Sequence, residues 1–192
     1  MTHAASFRRH RLLIAGAALL AALALPAATL AASYPGTPGP DHFVGTPDAD
    51  TMTGLGGNDI LEGLGGADWI DGGADDDLIY GGDGNDHLAG GSGHDGIRGG
   101  AGADAISGGD NADWLSGGPG PDVIYGGDGP DVIAGGTGHD VVYGGSGNDV
   151  IHVGGDNTVD AVHCGPGWDV AYLGRYDIAD ASCERVVRTL EI

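Results

Sequence analysis

An aspartate recurs every nine residues along the central part of this chain, without a single departure over eleven consecutive intervals. Two residues after each aspartate stands an apolar residue, and a glycine pair such as Gly81-Gly82 or Gly144-Gly145 precedes most of the aspartates. A low-complexity linker has no reason to keep aspartate and apolar residues in register. A short fixed period instead predicts a solenoid, in which each repeat buries its apolar residue only by stacking on its neighbours. The aspartates are Asp50, Asp59, Asp68, Asp77, Asp86, Asp95, Asp104, Asp113, Asp122, Asp131, Asp140 and Asp149.

The residues around each apolar position alternate in a way that predicts a short strand with one side chain facing inward. Each unit is expected to contain six turn residues and three strand residues, so that two units form one coil with strands on opposite sides. The 41 glycines argue against helices, because each glycine inside a helix costs about 1 kcal/mol relative to alanine. The expected fold class is therefore all-β. The predicted core consists of Met52, Leu61, Ile70, Ile79, Leu88, Ile97, Ile106, Leu115, Ile124, Ile133, Val142 and Ile151.

Some units carry another residue where the pattern has glycine. Leu55 and Leu64 occupy the second position of their units, and Asp75 and Asn111 occupy the fourth. Asparagine tolerates the left-handed backbone angles that a tight turn requires, so the unit with Asn111 is expected to turn normally. Asp75 fits this position less well.

The best-preserved units, GGDGNDHLA at residues 81–89 and GGSGNDVIH at residues 144–152, match the nonapeptide G-G-x-G-x-D-x-U-x, where U is apolar. The chain thus resembles the RTX (hemolysin-type) calcium-binding repeat family. The resemblance implies a right-handed parallel β-roll, a form of β-solenoid, that binds several Ca²⁺ ions in its turns. In that family each ion lies between turns of successive coils. Carried over, Asp59 would act with Asp77, and so on along the chain.

Carboxylate and backbone carbonyl oxygens, without sulfur or imidazole, suit calcium better than zinc or copper. The alternative is that each aspartate hydrogen-bonds its own turn, as aspartates commonly do. That alternative does not explain a column of like charges about 4.8 Å apart, which repel unless a cation intervenes. The predicted metal ligands are Asp59, Asp68, Asp77, Asp86, Asp95, Asp104, Asp113, Asp122, Asp131, Asp140 and Asp149, with Asp50, Asp83, Asp128, Asn85 and Asn148 as weaker candidates.

Residues 1–31 have the features of an export signal. Arg8, Arg9 and Arg11 precede an apolar run, and small residues near Ala31 indicate a cleavage site. The alternative is a membrane anchor, but the run is short for spanning a bilayer. The arginine pair leaves twin-arginine export open beside the general secretory route. The mature chain is expected to be secreted and extracellular, without membrane insertion.

The rest of the chain divides into three parts by composition. Residues 32–44 are rich in proline and glycine and are expected to be a linker, and residues 45–162 form the repeats. Residues 163–192 contain a degenerate last repeat and a tail that is expected to cap the open end of the solenoid. In an exported chain, the isolated pair Cys164 and Cys183 is expected to form a disulfide that anchors this cap. A metal site, a redox site or two reduced thiols are the alternatives.

The formal net charge of −21 attracts cations and argues against nucleic acid as a partner. The sequence has neither an H-E-x-x-H nor a G-x-S-x-G motif, so the protein is not expected to be an enzyme. One predicted function is a calcium-binding solenoid whose folding is coupled to calcium. The other is a calcium-stabilised adhesion or interaction module at a cell surface or matrix. Its partner would dock on an outward ladder formed by Val123, Tyr125, Val141 and Tyr143. Alternatively, this ladder only stabilises the sheet through cross-strand pairing.

Overall fold

The computed structural model describes residues 31–188, so the predicted signal peptide lies outside the described residues except for Ala31. Within the described range the structure is all-β, as predicted, and has no helix that could span a membrane. The strands are β1 Ser33–Thr37, β2 His42–Val44, β3 Thr51–Leu55, β4 Ile60–Gly65, β5 Trp69–Ala74, β6 Leu78–Asp83, β7 His87–Ser92, β8 Gly96–Ala101, β9 Ala105–Asp110, β10 Trp114–Pro119, β11 Val123–Asp128, β12 Val132–Thr137, β13 Val141–Ser146, β14 Val150–His152, β15 Ala161–His163, β16 Val170–Leu173, β17 Ile178–Ala179 and β18 Arg185–Arg188.

The strands alternate between two parallel sheets of nine strands each. The odd-numbered strands form one sheet, called here the odd sheet, and the even-numbered strands form the other, the even sheet. Ile79 of β6 pairs with Ile97 of β8, one coil later, and this register is typical of the whole array. The parallel β-solenoid predicted from the repeat is therefore confirmed. Eight strand spacings of about 4.8 Å give a stack about 38 Å long.

Most strands are longer than the three residues expected from the repeat. In β6 the ladder continues through the glycine pair, where Gly82 pairs with Gly100 and Asp83 pairs with Ala101 of β8. Gly82 has a φ angle of 114°, a conformation that glycine adopts without steric cost. The glycine pair therefore bends the chain around the corner of the coil while its backbone stays in the ladder.

The predicted core is confirmed, because all twelve apolar repeat residues from Met52 to Ile151 are buried. They form two facing ladders, which Val162, Ala171 and Leu173 extend toward the C-terminus. Burying one such side chain stabilises the fold by about 1.5–3 kcal/mol, and only stacked coils provide that burial.

Residues 33–44 form β1 and β2, the first coil, rather than a linker. Tyr34 pairs with Met52 and Phe43 pairs with Leu61, so both rings lie at inward positions. The ring centroids are 5.5 Å apart and the rings pack against the end of the core. The linker was predicted because this segment lacks the glycine motif. It still forms strands, because it pairs with the open strand edge and its two rings cover the end of the core.

At the C-terminal end the register changes because residues 153–160 contain two more residues than a regular turn. Val141 therefore pairs with Ala161, twenty residues later. The tail then adds β17 to the odd sheet and β18 to the even sheet. Cys164 and Cys183 form the predicted disulfide, which ties the last coil to the one before it.

Candidate metal centre in two aspartate columns

An aspartate stands immediately before most strands, so the two sheets produce two columns of carboxylates. The odd column contains Asp50, Asp68, Asp86, Asp104, Asp122, Asp140, Asp160 and Asp177. The even column contains Asp41, Asp59, Asp77, Asp95, Asp113, Asp131, Asp149 and Asp169, and ends at Glu184.

Each column is held together by hydrogen bonds between coils. The backbone N–H of Asp59 donates to Oδ1 of Asp77 over 2.8 Å, and the carbonyl oxygen of Asp59 accepts the N–H of Leu78 over 2.9 Å. The same carboxylate contact repeats at 2.7–3.0 Å from Asp50 to Asp169. The predicted neighbours, one coil apart, are thus in direct contact.

The alternative, in which each aspartate hydrogen-bonds its own turn, occurs near the ends of the columns, and in the even column Oδ2 of Asp41 accepts the N–H of Thr37. Oδ2 of Asp50 accepts the N–H of Thr46, and Oδ2 of Asp177 accepts the N–H of Gly174. At the intermediate positions only Oδ1 accepts a hydrogen bond, from the backbone N–H one coil earlier. The aspartate column therefore links successive coils, in addition to shaping single turns.

The second carboxylate oxygen, Oδ2, is buried and has no hydrogen-bond donor within the described residues in thirteen column aspartates. A buried polar atom without a partner costs about 1–3 kcal/mol, and more when it is charged. A repeated cost of this kind indicates a ligand that neutralises the oxygen. The aspartates are Asp59, Asp68, Asp77, Asp86, Asp95, Asp104, Asp113, Asp122, Asp131, Asp140, Asp149, Asp160 and Asp169.

In the eleven units from Asp59 to Asp149, this oxygen faces the first glycine of its own unit. A Cβ atom added at Gly81 would lie 2.3 Å from Oδ2 of Asp86 and 2.6 Å from the carbonyl oxygen of Gly99 on the next coil. The same arrangement recurs at Gly90 with Asp95. The space that glycine leaves open is therefore lined by a carboxylate oxygen and a carbonyl oxygen from successive coils. This donor set fits Ca²⁺, which prefers hard oxygen ligands.

Burial raises the pKa of the column carboxyls, because the charged form loses water, and the neighbouring carboxylates raise it further. The backbone N–H donated to Oδ1 opposes this shift only partly. The pKa rises to about 7 for Asp77, Asp113 and Asp122. It rises to about 6 for Asp68, Asp131, Asp149 and Asp160. The columns therefore require either protons or cations.

The four weaker candidates outside the columns lie elsewhere on the turns. Asn85 accepts the N–H of Ala103 over 2.8 Å, and Asn148 accepts the N–H of Trp168 over 2.9 Å, so both amides bridge coils. Asp128 accepts the hydroxyl of Ser146, and Asp83 is exposed at the end of β6. Calcium ligation by these four residues stays a prediction. In the described part of the chain, no three His, Cys, Asp or Glu side chains form a cluster suited to a metal ion.

The ends of both columns were not predicted from the sequence. Asp41 lies eighteen residues before Asp59, and its N–H donates to Oδ1 of Asp59. Asp160 and Asp169 continue the columns after the longer turn, and Asp177 and Glu184 accept the last N–H groups. Comparing each acidic residue with the position one coil away would have found Asp41.

The fold and the two columns define a calcium-binding β-solenoid of the β-roll type. The chain belongs to the family of the RTX calcium-binding nonapeptide repeat, whose model matches residues 35–69, 62–97, 90–124 and 125–159. RTX nonapeptide repeats bind Ca²⁺, and the periodic buried aspartates in the turns agree with that property. Among curated proteins, no match to the chain was found.

Proposed function

We propose that this protein is a secreted calcium-binding β-solenoid whose folding is coupled to calcium binding in its glycine and aspartate turns. The observation that carries the proposal is the repeated Oδ2 atom, buried and without a donor. Thirteen buried carboxylates in two columns repel one another when they are charged. Calcium binds only where the coils are stacked, so its binding energy becomes folding energy.

The proposed ligands are the column aspartates from Asp59 to Asp149, together with backbone carbonyl oxygens such as that of Gly99. Ca²⁺ would supply positive charge between adjacent carboxylates. The chain contributes the placement, since Oδ1 is fixed by a backbone N–H and Oδ2 stays free for the cation.

A calcium titration of residues 32–192, followed by circular dichroism with magnesium as control, tests this proposal. We expect a cooperative gain of strand signal near 10⁻⁴ to 10⁻³ M calcium, the range of extracellular modules, and none with magnesium. Asp113→Ala should raise the calcium concentration at the midpoint. Asp110→Ala, three residues away but exposed, should leave it unchanged. A chain with the same strand signal in chelator as in calcium at neutral pH would refute the coupling.

Secretion is proposed from three features: the signal-like residues 1–31, the Cys164–Cys183 disulfide and the membership of a family that is typically secreted. The family is generally structural, and we propose a structural rather than a catalytic role for this member. Mass spectrometry of the exported protein would identify its first residue. An exported chain that begins at Met1 would contradict cleavage.

A second candidate function, a calcium-stabilised interaction module, is favoured by an aromatic stack on the odd sheet. Tyr125 and Tyr143 stack with centroids 4.9 Å apart, and Tyr143 stacks on His163 at 4.8 Å. Val123 and Val141 pair beside them, and about half of the Tyr125 side chain is exposed. Changing both tyrosines to serine should abolish binding to cells or matrix while calcium affinity is kept. Tyr176→Ser, also exposed, is the matched control; equal binding by all variants would exclude this surface.

A further inference from the structure

The outward face of the even sheet carries an exposed apolar ladder that is interrupted by one glycine. Five outward residues lie in register on successive strands: Ile60, Leu78, Gly96, Trp114 and Val132. All except the glycine are large and exposed, and Trp114 is 70% exposed. Gly96 is the only glycine at this position among the twelve repeat units. The ladder therefore has a single gap.

The backbone does not require a glycine at this place. Gly96 is not among the residues with a positive φ angle. A Cβ atom would approach only Cδ2 of Leu78 closely, at 2.8 Å, and this methyl group is the movable end of a side chain. The absence of a side chain at Gly96 therefore alters the outward surface of the even sheet and leaves the backbone conformation unchanged. It opens a notch of about 280 Å³ with Ile97 at its base and Leu78, Tyr80 and Trp114 along its sides.

Arg98 lies on the same strand, at the next outward position, and also lines the notch. It is the only arginine or lysine between positions 31 and 174 of this acidic chain. Its guanidinium group is exposed and forms no salt bridge or hydrogen bond within residues 31–188. A guanidinium group beside an apolar notch is suited to a bidentate contact with a carboxylate.

We propose that this notch binds a small monoanionic ligand in which a single ring is attached to a carboxylate. The ring would lie over Gly96 between Leu78 and Trp114, and the carboxylate would contact Arg98. The volume suits one ring, and the charge of −21 disfavours polyanions. β8 is paired on both sides, with β6 and β10, so a peptide cannot add to it as an extra strand.

Titration of the isotope-labelled, calcium-loaded protein with phenylacetate, followed by NMR, tests the proposal. We expect saturable shifts of the Gly96 and Arg98 amides and of the Trp114 indole N–H, with a Kd in the range of about 1–10 mM for so small a ligand. Phenylacetamide, which has the ring without the charge, and acetate, which has the charge without the ring, should each bind about tenfold more weakly.

Two variants separate the notch from the rest of the surface. Gly96→Leu should abolish binding because the side chain fills the notch, and Arg98→Gln should weaken it about tenfold. Ala105→Leu, at the same repeat position on the odd sheet, should bind like the wild type. Absence of saturation by about 100 mM, or equal binding by Gly96→Leu, would overturn the proposal. Self-association that is abolished by Gly96→Leu would also overturn it, because a second copy would then occupy the notch.

Discussion

Without calcium, the solenoid is expected to be unfolded at neutral pH and to fold when the pH is lowered. The column aspartates are ionised in the unfolded chain at neutral pH, whereas burial disfavours their charge in the folded chain. Folding at neutral pH must therefore either bury charged carboxylates or bind protons. Calcium removes this cost by neutralising the columns, and protons should do the same at lower pH.

The sign follows from the direction of the shift. The pKa of Asp77, Asp113 and Asp122 rises from 3.8 to about 7, so the folded state binds more protons than the unfolded state. The free energy of unfolding then falls as the pH rises from about 4 to about 7, because the unfolded state releases its protons first. An aspartate whose pKa is raised to about 7 lowers the free energy of unfolding by about 4 kcal/mol as the pH rises across this window. One whose pKa is raised to about 6 lowers it by about 3 kcal/mol.

Together these losses are comparable with the whole stability of an ordinary domain. Seven column aspartates have a pKa of about 6 or about 7. Between about pH 7.5 and pH 5 they should recover about 10 kcal/mol, comparable with the roughly 5–15 kcal/mol of a typical domain. The acid-folded chain without calcium should therefore be stable, and the same chain at neutral pH should not.

Circular dichroism of the chelator-treated chain between about pH 7.5 and pH 5 is the assay. Strand signal should appear as the pH falls, while the calcium-loaded chain keeps it throughout. Asp113→Asn, which carries a neutral amide in place of a buried carboxylate, should move the folding midpoint to higher pH. Asp110→Asn, exposed in the same unit, is the control. A chelated chain with the same strand signal at both pH values would refute the reasoning.

Three further changes test the turns and the cap. Leu64→Gly should raise the free energy of unfolding by about 1 kcal/mol, measured by calorimetry in calcium, because Leu64 has a φ angle of 75° and an exposed side chain. Cys183→Ser should lower it by about 3 kcal/mol in chemical denaturation. Gly81→Ala should weaken calcium binding in calorimetric titration, because the methyl group would overlap Oδ2 of Asp86. Gly39→Ala, with no atom within 4 Å of the added Cβ, should not.

The regular part of the fold could be predicted because the repeat fixes both the inward residues and the coil length. Leu55, Leu64, Asp75 and Asn111 all adopt positive φ angles of 74–79° at glycine positions. The motif therefore fixes the backbone even where glycine is missing. Even Leu64 is held there, since stacking on both sides outweighs a local cost of about 1–2 kcal/mol.

The two ends could not be predicted from the motif, because pairing there depends on the neighbouring coil. Residues 33–44 lack the glycine pairs, yet Tyr34 and Phe43 extend the core and β1 and β2 extend the ladder. At the other end, Glu184 lies only fifteen residues after Asp169 and still accepts its N–H over 2.9 Å. A segment can pair with an open strand edge if it supplies a carboxylate and an inward apolar side chain. The number of residues between successive coils can then differ from eighteen.

The repeat leaves few positions where this protein can differ from others built in the same way. Inward residues are fixed by packing, and the glycine and aspartate positions of the turns are fixed by the columns. The residues that vary are the third and fifth of each turn and the two outward residues of each strand. Here the two sheets use them differently. The odd sheet stacks Tyr125, Tyr143 and His163, whereas the even sheet surrounds Gly96 with large apolar side chains and places Arg98 beside it. Whatever this solenoid recognises in addition to calcium must therefore be determined by these variable residues, and the outward ones give each sheet its own surface.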